Sequence, residues 1–174
     1  MSVAVLFCRK TSHYKKMQSV DCYDVDRDAL TWPGGVPGVF HPPCRAWGKL
    51  SHFAKARPGE MELSIWAMNA VRKCGGVLEH PLDSRLWSAS RCSSWGVRDA
   101  HGGLLVPVYQ SWWGHRAFKA TGLYFVGPVP VLPDYIEPVS SQPVQNMSLA
   151  RRETTPLALA SWLVSYAEAC EVSA

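Results

Sequence analysis

Hydrophobic positions along this chain fall in short runs separated by polar stretches and by glycine and proline, a pattern that predicts strands interleaved with helices. Val3 to Cys8 is apolar and rich in β-formers, so it predicts a buried strand. The polar stretch Arg9 to Gln18 carries Lys10, Lys15 and Lys16. A second strand over Ser19 to Tyr23 then runs into the acidic segment Asp24 to Asp28. Trp32-Pro33-Gly34-Gly35 predicts a turn, because proline and glycine punctuate regular structure, and Val36 to Phe40 predicts a third strand.

Beyond the break at Pro58-Gly59 the period changes. Met61, Ile65 and Met68 recur at helical spacing and Lys73 with Gly75 supplies a stop, which predicts a helix over Glu60 to Lys73. Gly76 to Glu79 reads as a short buried strand ending at His80-Pro81. Leu82 to Gly103 reads as loop with one helical turn. Leu104 to Tyr109 and Gly122 to Val126 read as two further strands, and the Pro-rich segment 127–145 as extended chain. A helix closes the chain over 156–171: Pro156 suits its first turn, and Leu159, Leu163, Tyr166 and Cys170 line one face. Strands alternating with helices predict one α/β domain over 1–174, with a parallel or mixed sheet and flanking helices.

Composition adds little that alters this picture. The chain has 174 residues, 47% hydrophobic and 18% charged, enough to bury a core without staples. A net charge of +4 is compatible with a polyanionic partner without requiring one. Six scattered cysteines with no Cys-x-x-Cys pair argue for free thiols, against a disulfide scaffold and against a zinc finger. The apolar run at the N-terminus is too short for a signal peptide's core, and no run approaches the roughly 18 residues of a membrane span. The expected location is therefore the cytoplasm, with no membrane and no metal.

In sheets of this type ligands bind at the carboxyl ends of strands. Asp24 and Asp26, Cys44, Glu79 and Gln110 all fall at or just after predicted strands, which gathers them on one edge. In His41-Pro42-Pro43-Cys44-Arg45 two prolines stiffen the loop that delivers a thiol, and Arg45 or a helix N-terminus is able to draw that thiol toward thiolate. In Gly76-Val77-Leu78-Glu79-His80-Pro81 a carboxylate ends a buried strand, where ionised groups are rare unless paired. It can hydrogen-bond a substrate and, if its pKa is raised, donate a proton. Gln110 to Thr121 mixes Trp112, Trp113, His115, Arg116 and Lys119, a combination suited to bases and phosphates. Asp24 and Asp26 suit a ribose. Each has a plain alternative: a buried cysteine in a proline turn, a surface carboxylate, a polar hairpin, solvated turn acids.

Taken in order, Cys22-Tyr-Asp-Val-Asp26, His41-Pro-Pro-Cys44, Val77-Leu-Glu-His-Pro81, Gln110 to Leu123 around Gly-His-Arg-Ala-Phe-Lys-Ala-Thr, and Arg152-Glu-Thr-Thr-Pro-Leu-Ala-Leu-Ala160 resemble the DNA cytosine-5 methyltransferases, particularly the small methyltransferase-like proteins of phages and prophages. The resemblance implies a Rossmann-like, methyltransferase-like sheet, S-adenosyl-L-methionine as cofactor and DNA or a nucleotide as substrate. It puts Cys44 at the nucleophile that adds to C6 of cytosine, Glu79 at the residue contacting N3, and Asp24 or Asp26 at the cofactor ribose. Pro43, Arg45, His80, Gln110, Trp113, His115, Arg116 and Lys119 are assigned to the substrate. A base must leave the duplex to reach such a thiol. The chain departs from the family in three places. Cys8-Arg-Lys-Thr-Ser-His13 stands where a glycine-rich loop is usual, Glu79 is followed by His80, and the short span from Glu79 to Gln110 leaves no room for a target-recognition domain. A partner protein is the expected source of that recognition. Two other functions fit the sequence: a degenerate domain that binds a nucleotide or a partner, for example in counter-defence, and a nucleotide-metabolism enzyme such as a deoxyribosyltransferase with Glu79 as nucleophile.

Overall fold

The computed structural model describes residues 3–48, 51–92, 95–134 and 143–170. Its six strands are β1 (Val3–Leu6), β2 (Val20–Tyr23), β3 (Gly38–Phe40), β4 (Gly76–Pro81), β5 (Leu104–Tyr109) and β6 (Ala120–Val126). They form one mixed sheet in the order β2-β1-β3-β4-β6-β5. The first four are parallel, and β6 runs antiparallel between β4 and β5. The carboxyl ends of β1 to β5 therefore share one edge with the start of β6.

The side chains alternate across the sheet, as the two-residue period of a strand requires. Val5, Val39, Val77 and Phe125 face the C-terminal helix α4 (Leu157–Glu168). Leu6, Phe40, Leu78 and Tyr124 face α1 (Glu60–Cys74). Glu60 and Glu62 in the first turn of α1 and Arg72 and Lys73 in its last turn complement the helix dipole. The chain leaves α1 through Gly75 and Gly76, both at positive φ. A Cβ on Gly76 would sit 2.0 Å from the Gly38 carbonyl oxygen, so β4 lies this close to β3 only with glycine at position 76. That close pairing sets His41 next to Glu79.

Element boundaries shift where local chemistry intervenes. β1 ends at Leu6 rather than Cys8, because Phe7 takes φ 62° and turns the chain out of the sheet. β3 begins only at Gly38, since Pro37 has no N–H for the ladder. β4 continues to Pro81, which pairs with Thr121. Leu82 to Gly103 holds one helical turn, α2 (Leu86–Ala89). The closing helix spans Leu157–Glu168 with Pro156 as its cap. A short helix not foreseen in the sequence, α3 (Leu149–Glu153), precedes it, capped by Ser148. Of the Pro-rich segment, residues 135–142 lie outside the described residues, and 127–134 carry no helix or strand. Among the described residues no helix is long and apolar enough to cross a membrane, and no group of three metal-ligating side chains is found.

Candidate functional site

A cavity of about 610 Å³ opens at the carboxyl edge of the sheet. Its walls are the loop leaving β1, the turn after β2, the loop after β3 and the N-terminus of α1. Cys44, Glu79 and Asp24 line it together, as do Pro43 and Arg45.

Cys44 is exposed, but the loop that carries it is fixed. The Pro43 carbonyl accepts from Ser64 Oγ at 2.8 Å and faces His80 Nε2 at 3.4 Å. Arg45 is gripped by Glu60, with Nε 3.1 Å from Oε2 and Nη2 on Oε1, and Glu60 also accepts from the Arg57 N–H at 3.2 Å. Arg45 is thus spent on α1. Protein around the thiol raises the Cys44 pKa, the Glu79 carboxylate adds to this, and Lys119 opposes both. The thiol is protonated at neutral pH.

Glu79 lies within β4, opposite Leu123, rather than beyond the strand's end. Its Oε2 meets His41 Nδ1 at 3.0 Å, and its Oε1 accepts from Gln110 Nε2 at 3.0 Å. A carboxylate only accepts, so His41 Nδ1 carries a hydrogen. The Tyr14 hydroxyl, 2.9 Å from His41 Nε2, completes the line, and Gln110 Nε2 also reaches Thr121 Oγ1 at 3.1 Å. Burial raises the Glu79 pKa, but the His41 hydrogen bond and the Lys119 and His41 charges, joined by His80 once acid protonates it, outweigh it and push it down to about 2. Glu79 is therefore an ionised acceptor at neutral pH, not a proton donor. Burial of Tyr14 drives its hydroxyl pKa well up, so it stays protonated. His80 is pushed down to about 4 by burial and is neutral, and its Nδ1 has no partner among the described residues. Gln110 Oε1 is buried and likewise unpartnered among them.

The acids after β2 are already engaged. Asp24 pairs with Lys15 and accepts from the N–H groups of Asp26 (3.0 Å) and Arg27 (3.2 Å). The Lys15 hydrogen bond is the main reason its pKa falls to about 2. Asp26 is outside the cavity wall, 2.7 Å from Lys10.

The segment after β5 divides. Gln110 joins Glu79, and Lys119 acts electrostatically on both Glu79 and Cys44. Trp113 is buried in the core under α4, with its ring 5.2 Å from Trp162. His115 is a buried turn lock: Nδ1 accepts from the Ala117 N–H at 3.0 Å and Nε2 faces the Arg151 carbonyl at 3.4 Å. Arg116 is exposed on that turn. Tyr14, His41, Glu60, Ser64 and Thr121 carry the site's geometry without having been singled out in the sequence. His41 had the clearest signal, a histidine leaving a buried strand directly before Pro-Pro-Cys. Tyr14 gave none, since it sits in a polar stretch. No family model, no curated protein and no solved structure matches this chain.

Proposed function

We propose that the chain is a nucleobase-modifying enzyme on a Rossmann-like, methyltransferase-like sheet, most simply transferring a methyl group to C5 of cytosine in DNA with Cys44 as nucleophile. The observation that carries this is the meeting of Cys44 and Glu79 in one cavity whose far wall is the β1 loop. Supporting it, the sheet is parallel through β4 and closes with a reversed strand between two parallel ones. The cavity volume falls in the range of small-molecule sites, roughly 300–1,000 Å³.

S-adenosyl-L-methionine would supply an electrophilic methyl group. The space beside Cys8, Ser12 and Asp24 is the part of the cavity suited to its nucleoside, where ribose hydroxyls would share the Asp24 oxygens with Lys15 and the Asp26 and Arg27 N–H groups. The chain's own residues divide the remaining work. The Pro43 carbonyl clamps hold Cys44 in place before a base arrives. Glu79, acceptor only, holds an exocyclic amine of the base, and His41 with Gln110 fixes its plane. Because the resting thiol is protonated, its S–H bond is exchanged for an S–C6 bond and an N3–H bond on the ring, and loss of the C5 and N3 protons after transfer breaks S–C6 and frees the thiol.

Nucleoside mass spectrometry of DNA from cells expressing the chain tests the reading: modified cytosine is expected, and Cys44→Ser abolishes it in a protein with an unchanged melting curve. Unmodified DNA from cells with abundant folded protein counts against catalysis. A second reading, a nucleotide-binding domain without catalysis, draws on the same closed pairs, Asp24 with Lys15 and Glu79 with His41. Calorimetry with S-adenosyl-L-methionine separates a cofactor-binding chain from one that has lost the site.

A further inference from the structure

We infer that the aromatic and cationic side chains from Tyr109 to Lys119, with Arg151, form a docking surface for an unpaired DNA strand beside the cavity mouth. The inference rests on the cavity being a nucleobase site. It adds what holds the strand that presents the base.

Large aromatic residues left in solvent on a small domain call for explanation when they cluster. Tyr109 is 40% exposed and Phe118 43%. The Tyr109 ring meets Trp112 at 6.0 Å and 64° and Phe118 at 5.8 Å and 74°, both edge-on. An edge-on contact lays one ring's edge on a single face of the other, and the exposure of Tyr109 and Phe118 leaves ring surface on which bases can stack. The cluster starts with Tyr109 at the end of β5, the sheet's edge strand, where exposed Pro107 blocks pairing with another strand, and continues with Trp112 and Phe118 in the segment before β6. It adjoins the cavity through the backbone: Gln110 N–H donates to the Lys119 carbonyl at 3.3 Å, and Ser111 N–H to the Phe118 carbonyl at 3.4 Å. Gln110 then bonds Glu79.

Charge selects the occupant. Arg116 and Arg151 are exposed, and the His115 contact to the Arg151 carbonyl brings α3 against the Arg116 turn. Among the described residues no carboxylate forms an ion pair with Arg116, Lys119 or Arg151. An apolar protein segment would use the rings and leave these cations unmatched. A phosphate backbone uses both. Only unpaired bases offer faces to the rings, and only an unpaired base reaches Cys44.

Fluorescence anisotropy with a short labelled oligodeoxynucleotide, its duplex and its ribonucleotide counterpart tests this on the Cys44→Ser protein. The single strand is expected to bind tighter than the duplex. Tyr109→Ala and Phe118→Ala each weaken it roughly tenfold, while Phe118→Trp retains binding. Arg116→Ala with Arg151→Ala lowers the slope of log K against log salt by about 1.4. Duplex bound as tightly, the ribonucleotide bound more tightly, or alanine variants that bind like the parent overturns the surface. Modified DNA in cells with unaffected strand binding in those variants removes the surface and leaves the enzyme. Ring-dependent binding with no modification does the reverse.

Discussion

Replacing Glu79 by Gln removes one charge from the middle of the buried line and leaves nearly the same volume. A carboxyl at 4.5 in the unfolded chain and about 2 in the folded one stabilises the fold on the order of 3 kcal/mol at neutral pH. The folded value is the depressed one. The stabilisation is therefore complete above pH 4.5 and is lost as pH falls through about 2. Between wild type and Glu79→Gln the pH-dependent part of the stability gap should be about 3 kcal/mol at pH 6.5 and about half that at pH 3. At pH 6.5 it corresponds to a melting point about 6–12 °C lower for the variant. Urea titrations followed by circular dichroism at several pH values between these limits give the gap directly. A gap that stays constant over this range would falsify the claim that His41 and Lys119 hold Glu79 ionised, whatever its size.

Other expectations follow from named contacts. Asp99→Ala should destabilise the fold by about 3–5 kcal/mol in chemical melts, because Arg72, with a side chain only 12% exposed, loses the carboxylate it shares with the Tyr124 hydroxyl. Alkylation of Cys44 by iodoacetamide, followed by peptide mass mapping at neutral pH, should be slower than that of a free thiol. Glu79→Gln should speed it and Lys119→Ala slow it further, because the carboxylate raises the thiol pKa and the ammonium lowers it. Gly76→Ala should cost about 3 kcal/mol or more, or prevent soluble expression, since the added carbon collides with the Gly38 backbone at a φ that favours glycine.

The sheet was legible because its strands announce themselves locally: Val3 to Leu6 and Leu104 to Tyr109 are apolar runs bounded by polar or turn residues, and Val20 to Tyr23 is broken only by Asp21. The helix α1 was legible from its period and its glycine stop. Pairing partners were not, because the close β3–β4 approach needs the glycine at position 76, and nothing near it in sequence shows that the Gly38 backbone will lie against it. Cys44 and Glu79 could be picked out by their places after and within strands, but the company they keep could not. Tyr14, His41, Gln110 and Thr121 come from four separate segments, and the hydrogen bonds joining them follow from strand order rather than from spacing. Trp113 and His115 show the converse. Aromatic and histidine side chains beside cations look like a binding strip, yet core packing takes Trp113 and a turn takes His115, leaving Tyr109 and Phe118 outermost.

Three carboxylates of this site share one design: each is held by a donor from a different stretch of chain. Asp24 takes Lys15, Glu60 takes Arg45, and Glu79 takes His41 and Gln110. Such pairs lock the loops that form the cavity, and they also decide what the cavity can recognise. Glu79 is ionised and has nothing to donate, so a ligand facing it must bring the hydrogen. An amino-bearing ring such as cytosine satisfies that demand. Uracil or thymine held in the same pose would set O4 against a carboxylate whose charge burial leaves poorly screened, and could offer a hydrogen only by shifting the ring to bring N3–H forward while His41 and Gln110 hold the two Glu79 oxygens. Under the proposed function, base choice therefore lies in the Tyr14–His41–Glu79–Gln110 line as much as in the thiol. A Glu79→Gln protein, whose amide can both donate and accept, should bind cytidine and uridine with a smaller difference in affinity than wild type.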